Sequence, residues 1–150
     1  MNIMLKSRRF ILKATLALGV APLAIAEEKP MTTTAANKAF INKMLAEKKR
    51  LEDFPDRFVP DLVMYEPAVL PFGGTYRGLR EFQQFYPAVR KYYDFETWQV
   101  LGVFADGDTV FATTRVAVAG TTRIMYIAEQ FTFSGEKITQ VRVHVCDAER

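Results

Sequence analysis

The chain has 150 residues, 49% of them hydrophobic, with 20 Lys and Arg against 17 Asp and Glu and a formal net charge of +3. The excess is local: Lys6, Arg8, Arg9 and Lys13 precede the first acid, Glu27, and without these four the balance is 16 basic to 17 acidic residues. Scattered cations near neutrality lack the basic field that nucleic-acid binding needs, and a single cysteine, Cys146, excludes an internal disulfide.

The first 26 residues read as an export signal. Ser7-Arg8-Arg9-Phe10-Ile11-Leu12-Lys13 precedes an uncharged apolar run from Ala14 to Ala26, which ends small-x-small at Ala24-Ile25-Ala26. The order of serine, paired arginines, apolar residues and lysine resembles twin-arginine signals, which carry folded proteins across a bacterial inner membrane. The run is too short for a spanning helix, which needs roughly 20 residues. Cleavage before Glu27, a periplasmic location and no remaining membrane anchor are therefore expected. Residues 27–33 read as a polar leader and residues 34–150 as one domain.

From Thr34 to Leu51 the apolar positions Phe40, Ile41, Met44, Leu45 and Leu51 recur at helical spacing. Phe54-Pro55 stops this helix, and Pro55 can open a short second one ending near Phe58. A strand follows from Asp61 to Glu66. Pro67 to Gly78, with two prolines and three glycines, reads as a structured loop. Leu79, Phe82, Phe85, Tyr86, Val89 and Tyr93 mark a third helix, which Pro87 is expected to kink or end early. Four β-rich stretches complete the chain: Trp98 to Phe104, Val110 to Val118, Arg123 to Phe133 and Ile138 to Cys146. Short connections at Asp106-Gly107-Asp108, Gly120-Thr121 and Ser134-Gly135-Glu136 make them an antiparallel meander. The fold class is α+β, with helices covering one face of a curved, mainly antiparallel sheet.

This order of elements resembles the nuclear transport factor 2 superfamily, which includes ketosteroid isomerases, limonene-epoxide hydrolases and SnoaL-type polyketide cyclases. The local markers are Tyr65-Glu66-Pro67, the segment Leu70-Pro71-Phe72-Gly73-Gly74-Thr75-Tyr76-Arg77-Gly78, and the final hairpin Phe131-Thr132-Phe133-Ser134-Gly135-Glu136-Lys137-Ile138. The resemblance implies a cone-shaped fold with the N-terminal helices in the concave face of the sheet. In ketosteroid isomerases a carboxylate directly before a proline, ending the first strand, is the general base; Glu66 stands at that place. A second acid, two residues before a Phe-x-Phe pair, stays protonated and donates to the developing oxyanion; Glu129 matches it. The family's oxyanion tyrosine falls near Asn42, a weaker donor. Against the epoxide hydrolases Arg115 is retained, but their two carboxylates fall at Ala117 and Val143. The cyclase-type base also falls close to Val143, which cannot take a proton.

Each candidate has a plainer alternative. Glu66 either faces a cavity or caps the loop after its strand. Glu129 is either a buried neutral acid or the partner of Arg142 or Arg115, and an ion pair would lower its pKa. A two-residue turn at Gly135-Glu136 sets Glu129 opposite Arg142, and a three-residue turn sets it opposite Val141. Tyr65, Tyr76, Trp98, Phe104 and Met125 are candidates to line a ligand cavity. His144 is a candidate for the same site or for a rim position. Zinc-type spacing, a Gly-rich phosphate loop and a G-x-S-x-G elbow are absent, so neither metal nor cofactor is called for. The expected function is binding of an apolar small molecule, with cofactor-free proton transfer α to a carbonyl as the chemistry. A non-catalytic binding or carrier module, or a partner-binding protein, is the alternative. The resemblance also implies a homodimer through the convex face, with Gln140, Arg142 and His144 as candidate contacts.

Overall fold

The computed structural model describes residues 33–147, so the expected signal (1–26) and nearly all of the leader lie outside the described residues. Helix α1 spans Thr33–Ala46 and buries Ile41, Met44 and Leu45 at three- and four-residue spacing. It stops five residues before the expected Leu51. Lys48 turns left-handed at φ 51°. Its N–H donates to the Leu45 carbonyl at 3.1 Å, and that of Lys49 donates to the Met44 carbonyl at 3.0 Å. These are the paired bonds of a Schellman turn, a place usually held by glycine. Two single 3₁₀ turns, Leu51–Asp53 and Pro55–Arg57, replace the expected short helix and lead into β1, Phe58–Glu66.

The stretch expected to be all loop divides in two. Residues 67–73 form a tight turn, with Leu70 and Gly73 donating to the carbonyls of Pro67 and Leu70 at 3.0 and 2.9 Å. Gly74–Arg77 then forms β2, antiparallel to β1. Helix α2, Gly78–Tyr92, runs through Pro87 without ending and buries Phe82 and Phe85. The chain passes directly from α2 into β3, Tyr93–Asp106, which starts five residues before the expected Trp98. Strands β4 (Thr109–Val118), β5 (Ile124–Ser134) and β6 (Lys137–Asp147) complete the meander. The six strands lie in the order β2-β1-β6-β5-β4-β3, and only β1 with β6 is parallel.

Alternation divides the two faces of the sheet. Val110, Ala112, Thr114 and Val116 of β4 and Ile127, Phe131 and Phe133 of β5 are buried beneath the helices. Helix α1 crosses the hairpin ends: Thr34 Oγ1 donates to the Gly107 carbonyl at 2.9 Å and Asn37 Nδ2 to the Gly135 carbonyl at 2.8 Å. The outer face exposes Phe104, Phe111 and Tyr126.

The last hairpin corrects both expected registers. Its turn is the two-residue kind, closed by Ser134 opposite Lys137, but the pairing then slips between Phe133↔Ile138 and Thr132↔Gln140. Thr139 is the extra residue, a β-bulge whose hydroxyl donates to the Thr132 carbonyl at 3.2 Å. Past the bulge the odd-numbered residues of β6 face inward. Val141 and Val143 are buried while Arg142 and His144 face out, and Glu129 lies opposite Val143.

Gly73 permits the turn before β2. A Cβ there would lie 2.2 Å from the Pro67 carbonyl oxygen and 2.7 Å from Ala68 Cα. Both are backbone atoms, which cannot swing away as a side chain can. Gly73→Ala is therefore expected to destabilise the fold by about 2 kcal/mol or more. Urea unfolding checks this, and a loss below ~0.5 kcal/mol, the range of a neutral surface change, contradicts it.

Candidate functional site

The helices do not seal against the sheet. A cavity of about 230 Å³ remains, floored by Met64, Ile127, Phe131 and Val143 and walled by Met44, Leu45, Leu51, Phe72, Phe82 and Phe85. Its outer end is bordered by Lys48, Lys49, Arg50, Arg90 and Glu96, with Phe95 and Trp98 beside them. Three polar groups enter the apolar part: Glu66, Glu129 and Tyr93.

Glu66 is the last residue of β1, and Pro67 ends the strand behind it. Glu129 comes from mid-β5, turned inward by the alternation that also buries Ile127 and Phe131, and the bulge in β6 sets Val143 opposite it. Tyr65 is opposite Arg142 and Glu129 is opposite Val143. The two acids therefore sit two strands apart, roughly 10 Å of sheet, with Val143 between them. Neither expected ion pair forms. Arg142 lies over the Tyr65 ring at 4.0 Å, and Arg115 Nε donates to Gln99 Oε1 at 2.8 Å; both are on the outer face.

Burial without a cation has the expected effect on the acids. Burial first, and then the nearby Glu129 charge, push the Glu66 carboxyl up to about 8 from an ordinary value of 4.5. Burial alone pushes Glu129 up to about 7. Two such groups titrate as a pair. Glu129 Oε2 is enclosed with no hydrogen-bond partner among the described residues, and so is the hydroxyl of Tyr93. Tyr93 is 4% exposed. Burial raises its phenol, and Glu66 raises it further. Two enclosed polar atoms lacking partners beside a cavity are the groups a polar atom of a ligand would satisfy. Glu66 also borders a shallow groove on the outer side of the sheet, formed with Tyr65, Val69 and His144, and so has a route to solvent.

The remaining sequence candidates divide. Trp98 borders the cavity and stacks on Phe95, with ring centroids 5.7 Å apart. Asn42 does not enter the cavity. One step of 100° from the buried Ile41 turns it outward, where it is exposed. The buried amide on this helix is Asn37, and its bond to Gly135 occupies it structurally. Tyr65 faces outward under Arg142. Tyr76 stacks on Phe85 at 4.0 Å and donates its hydroxyl to the Phe72 carbonyl, bracing the wall from behind. Phe104 is 61% exposed on the outer face, Met125 is a core residue at 3%, and His144 is exposed. Tyr93 is the polar group that the sequence pattern conceals, because its spacing continues the apolar stripe of α2 while its backbone already belongs to β3. Among the described residues no three His, Cys, Asp or Glu side chains gather as a metal site, and no helix is long and apolar enough to cross a membrane.

Two helices over a curved, mainly antiparallel sheet, enclosing an apolar cavity with acids from separate strands, define an α+β domain with an internal cavity. The chain belongs to the SnoaL-like domain family, whose model matches residues 38–141. Solved structures share the fold at low identity. An NTF2-like protein from Burkholderia thailandensis is 19% identical, with 77% of this chain and 92% of that one covered and a TM-score of 0.62. A putative ketosteroid isomerase from Kribbella flavida is 14% identical over 81% and 85%, with a TM-score of 0.63. A putative SnoaL-like polyketide cyclase from Mesorhizobium loti is 19% identical over 76% and 99%, with a TM-score of 0.56. No curated protein matches the chain.

The raised acids link protonation to stability. Below about pH 4.5 both carboxyls are protonated whether the chain is folded or not. From there to about pH 8 the unfolded chain loses their protons first, so stability falls as pH rises through this window. Glu129→Gln removes one ionisation and relieves the other acid. It is expected to be more stable than the parent at pH 8.5 by roughly 1–3 kcal/mol, and indistinguishable from it at pH 4.5. Thermal unfolding at the two pH values checks this, and the opposite ordering at pH 8.5 contradicts a buried neutral acid.

Proposed function

We propose that this protein is a cofactor-free acid–base enzyme that moves a proton α to a carbonyl on an apolar small molecule. The observation that carries this reading is the enclosed Glu129 Oε2, without a hydrogen-bond partner in an apolar cavity that Glu66 also enters. Glu66, open to solvent on one side, is the base. Its carboxylate takes the α-proton, the C–H pair becomes the enolate π bond, and the carbonyl oxygen gains the negative charge. The protonated Glu129 and the Tyr93 hydroxyl donate to that oxygen. Such bonds count for more in a water-poor site than in bulk solvent. Glu66 then returns the proton to the γ-carbon, which gives a conjugated ketone and restores the carboxylate. Tyr93 takes the donor role expected of Asn42.

The chemistry needs one proton on the acid pair, held by Glu129. Burial raises Glu66 further than Glu129, so the singly ionised pair divides between two tautomers that exchange the proton. The active form is the tautomer with the proton on Glu129, and its share of the pair scales the rate.

Conversion of a β,γ-unsaturated cyclohexenone to its conjugated isomer, followed by absorbance, tests the reading. The rate is expected to rise and then fall with pH, with limbs near 7 and 8. Glu66→Gln is expected to lose ~10²–10⁴-fold of it, and Tyr93→Phe about 10-fold or more. A Glu66→Gln protein retaining a third of the parent rate removes Glu66 from the mechanism.

The outer face supports a second, compatible reading, in which two copies pair through it. Phe104 and Phe111 lie opposite one another across β3 and β4 and are 61% and 41% exposed, with Tyr126 also 41% exposed on β5. Exposed rings gathered on one sheet face mark an interaction surface. The expected contacts Gln140, Arg142 and His144 lie on the same face, one to three strands from the rings. Sedimentation at about 50 µM, well above the µM range of a modest interface, is expected to show a dimer that Phe104→Glu turns into a monomer. A monomeric parent contradicts it.

A further inference from the structure

The mouth of the cavity carries more positive charge than proton transfer on a neutral molecule requires. Lys48, Lys49, Arg50 and Arg90 border it against one acid, Glu96. Lys49 is committed to Glu47 at 2.9 Å. Lys48 and Arg90 pair with no acid among the described residues. Lys48 Nζ donates to the neutral Phe95 carbonyl at 3.3 Å, and the Arg90 guanidinium lies over the Phe95 ring at 5.6 Å. Phe95 thus gathers both cations at one side of the opening.

The backbone adds an independent sign. Lys48 holds the left-handed position of the Schellman turn at φ 51°, a conformation that disfavours any residue with a side chain. Glycine would end the helix with less strain. A strained residue at the rim of a cavity is a pointer to function there. In this case the gain from the lysine is an ammonium group at the opening.

Size completes the picture. A cavity of about 230 Å³ is below the ~300 Å³ at which pockets for drug-sized ligands begin. It holds one ring or a short chain, so a longer molecule must emerge between the cations.

We propose that the ligand is an elongated apolar molecule with a single-anion head such as a carboxylate, held at the mouth by Lys48 and Arg90 while its other end reaches Glu66 and Glu129. This builds on the cavity as the site of the proposed reaction, but it concerns binding and stands apart from turnover. Near pH 6.5 burial keeps both inner acids mostly protonated, so they repel an anion weakly.

Trp98 is the only tryptophan and borders the cavity, so its emission reports occupancy. Decanoate and 2-decanone, similar in length and differing in head charge, are titrated at pH 6.5. Decanoate is expected to bind about tenfold more tightly, as two ion pairs of about 0.7 kcal/mol each provide. Raising salt from about 0.05 to about 0.5 M is expected to remove most of that preference and leave 2-decanone unaffected. Lys48→Gly is expected to weaken decanoate roughly 2–5-fold, leave 2-decanone unchanged, and keep or raise the unfolding temperature by relieving the left-handed strain. Arg90→Gln is expected to weaken decanoate alike. Equal binding of the two molecules, or a Lys48→Gly that weakens both equally, overturns the proposal. Glu66→Gln separates it from the catalytic reading. A Glu66→Gln protein that keeps the decanoate preference, beside a parent that isomerises no ketone, supports the clamp and sinks the catalysis. Ketone isomerisation without a decanoate preference does the reverse.

Discussion

The structure depends on a desolvation cost that nothing nearby offsets. A carboxylate taken from water needs a cation or several donors, or it keeps its proton. Glu129 has neither for Oε2, and Glu66 is raised by the same burial and by its neighbour. An apolar cavity with two acids at its inner end is therefore a different object from a core containing an ion pair. An ion pair would fix both charges and make the site inert to protons. Here the number of bound protons varies within the pH range of ordinary life, and the fold is strained as they leave.

That strain and the proposed chemistry have one cause. The fold would be more stable with an amide at position 129, which cannot ionise, and a Gly at position 48, which would turn left-handed freely. Each departure from the stability optimum places a functional group at the cavity: a neutral acid at its inner end, an ammonium at its mouth. Sites that lower stability in this way are common where a protein acts on a ligand. The remainder of the fold compensates with continuous apolar packing, from Ile41 and Leu62 to Phe131 and Val141, all at or below 2% exposure.

Local periodicity made much of this legible in the sequence. Ile41, Met44 and Leu45 announce a helix with one apolar face, and the spacing of Phe82 and Phe85 does the same for α2. Glu66 stands out because a proline ends its strand, a relation carried by two adjacent residues. What periodicity conveys poorly is phase. Asn42 is one step of 100° from a buried neighbour, and that step is the difference between cavity and solvent. Phe104 and Tyr65 alternate with inward residues on strands whose facing no local signal defines. Tyr93 lies where a helix passes into a strand with no loop between, so its pattern belongs to one element and its backbone to the other. Strand β2 is four residues long and exists only because β1 offers an edge to pair with. The residue facing Glu129 was the least accessible, because it depends on a bulge in another strand.

That bulge has a consequence for how the site can change. Whether the acid at position 129 meets valine or arginine is encoded by the count of residues between the final turn and Val143, not by the identity of any one side chain. Point substitutions along β6 would each disturb one contact and leave the polarity of the site intact. Inserting a single residue near Thr139, with the bulge kept, would invert every side chain beyond it and bring Arg142 opposite the acid in one step, whereas deleting Thr139 would close the bulge and leave Glu129 opposite Val143. For this domain an insertion in β6, more than a missense change, is the event that separates a proton-exchanging cavity from a salt-bridged core.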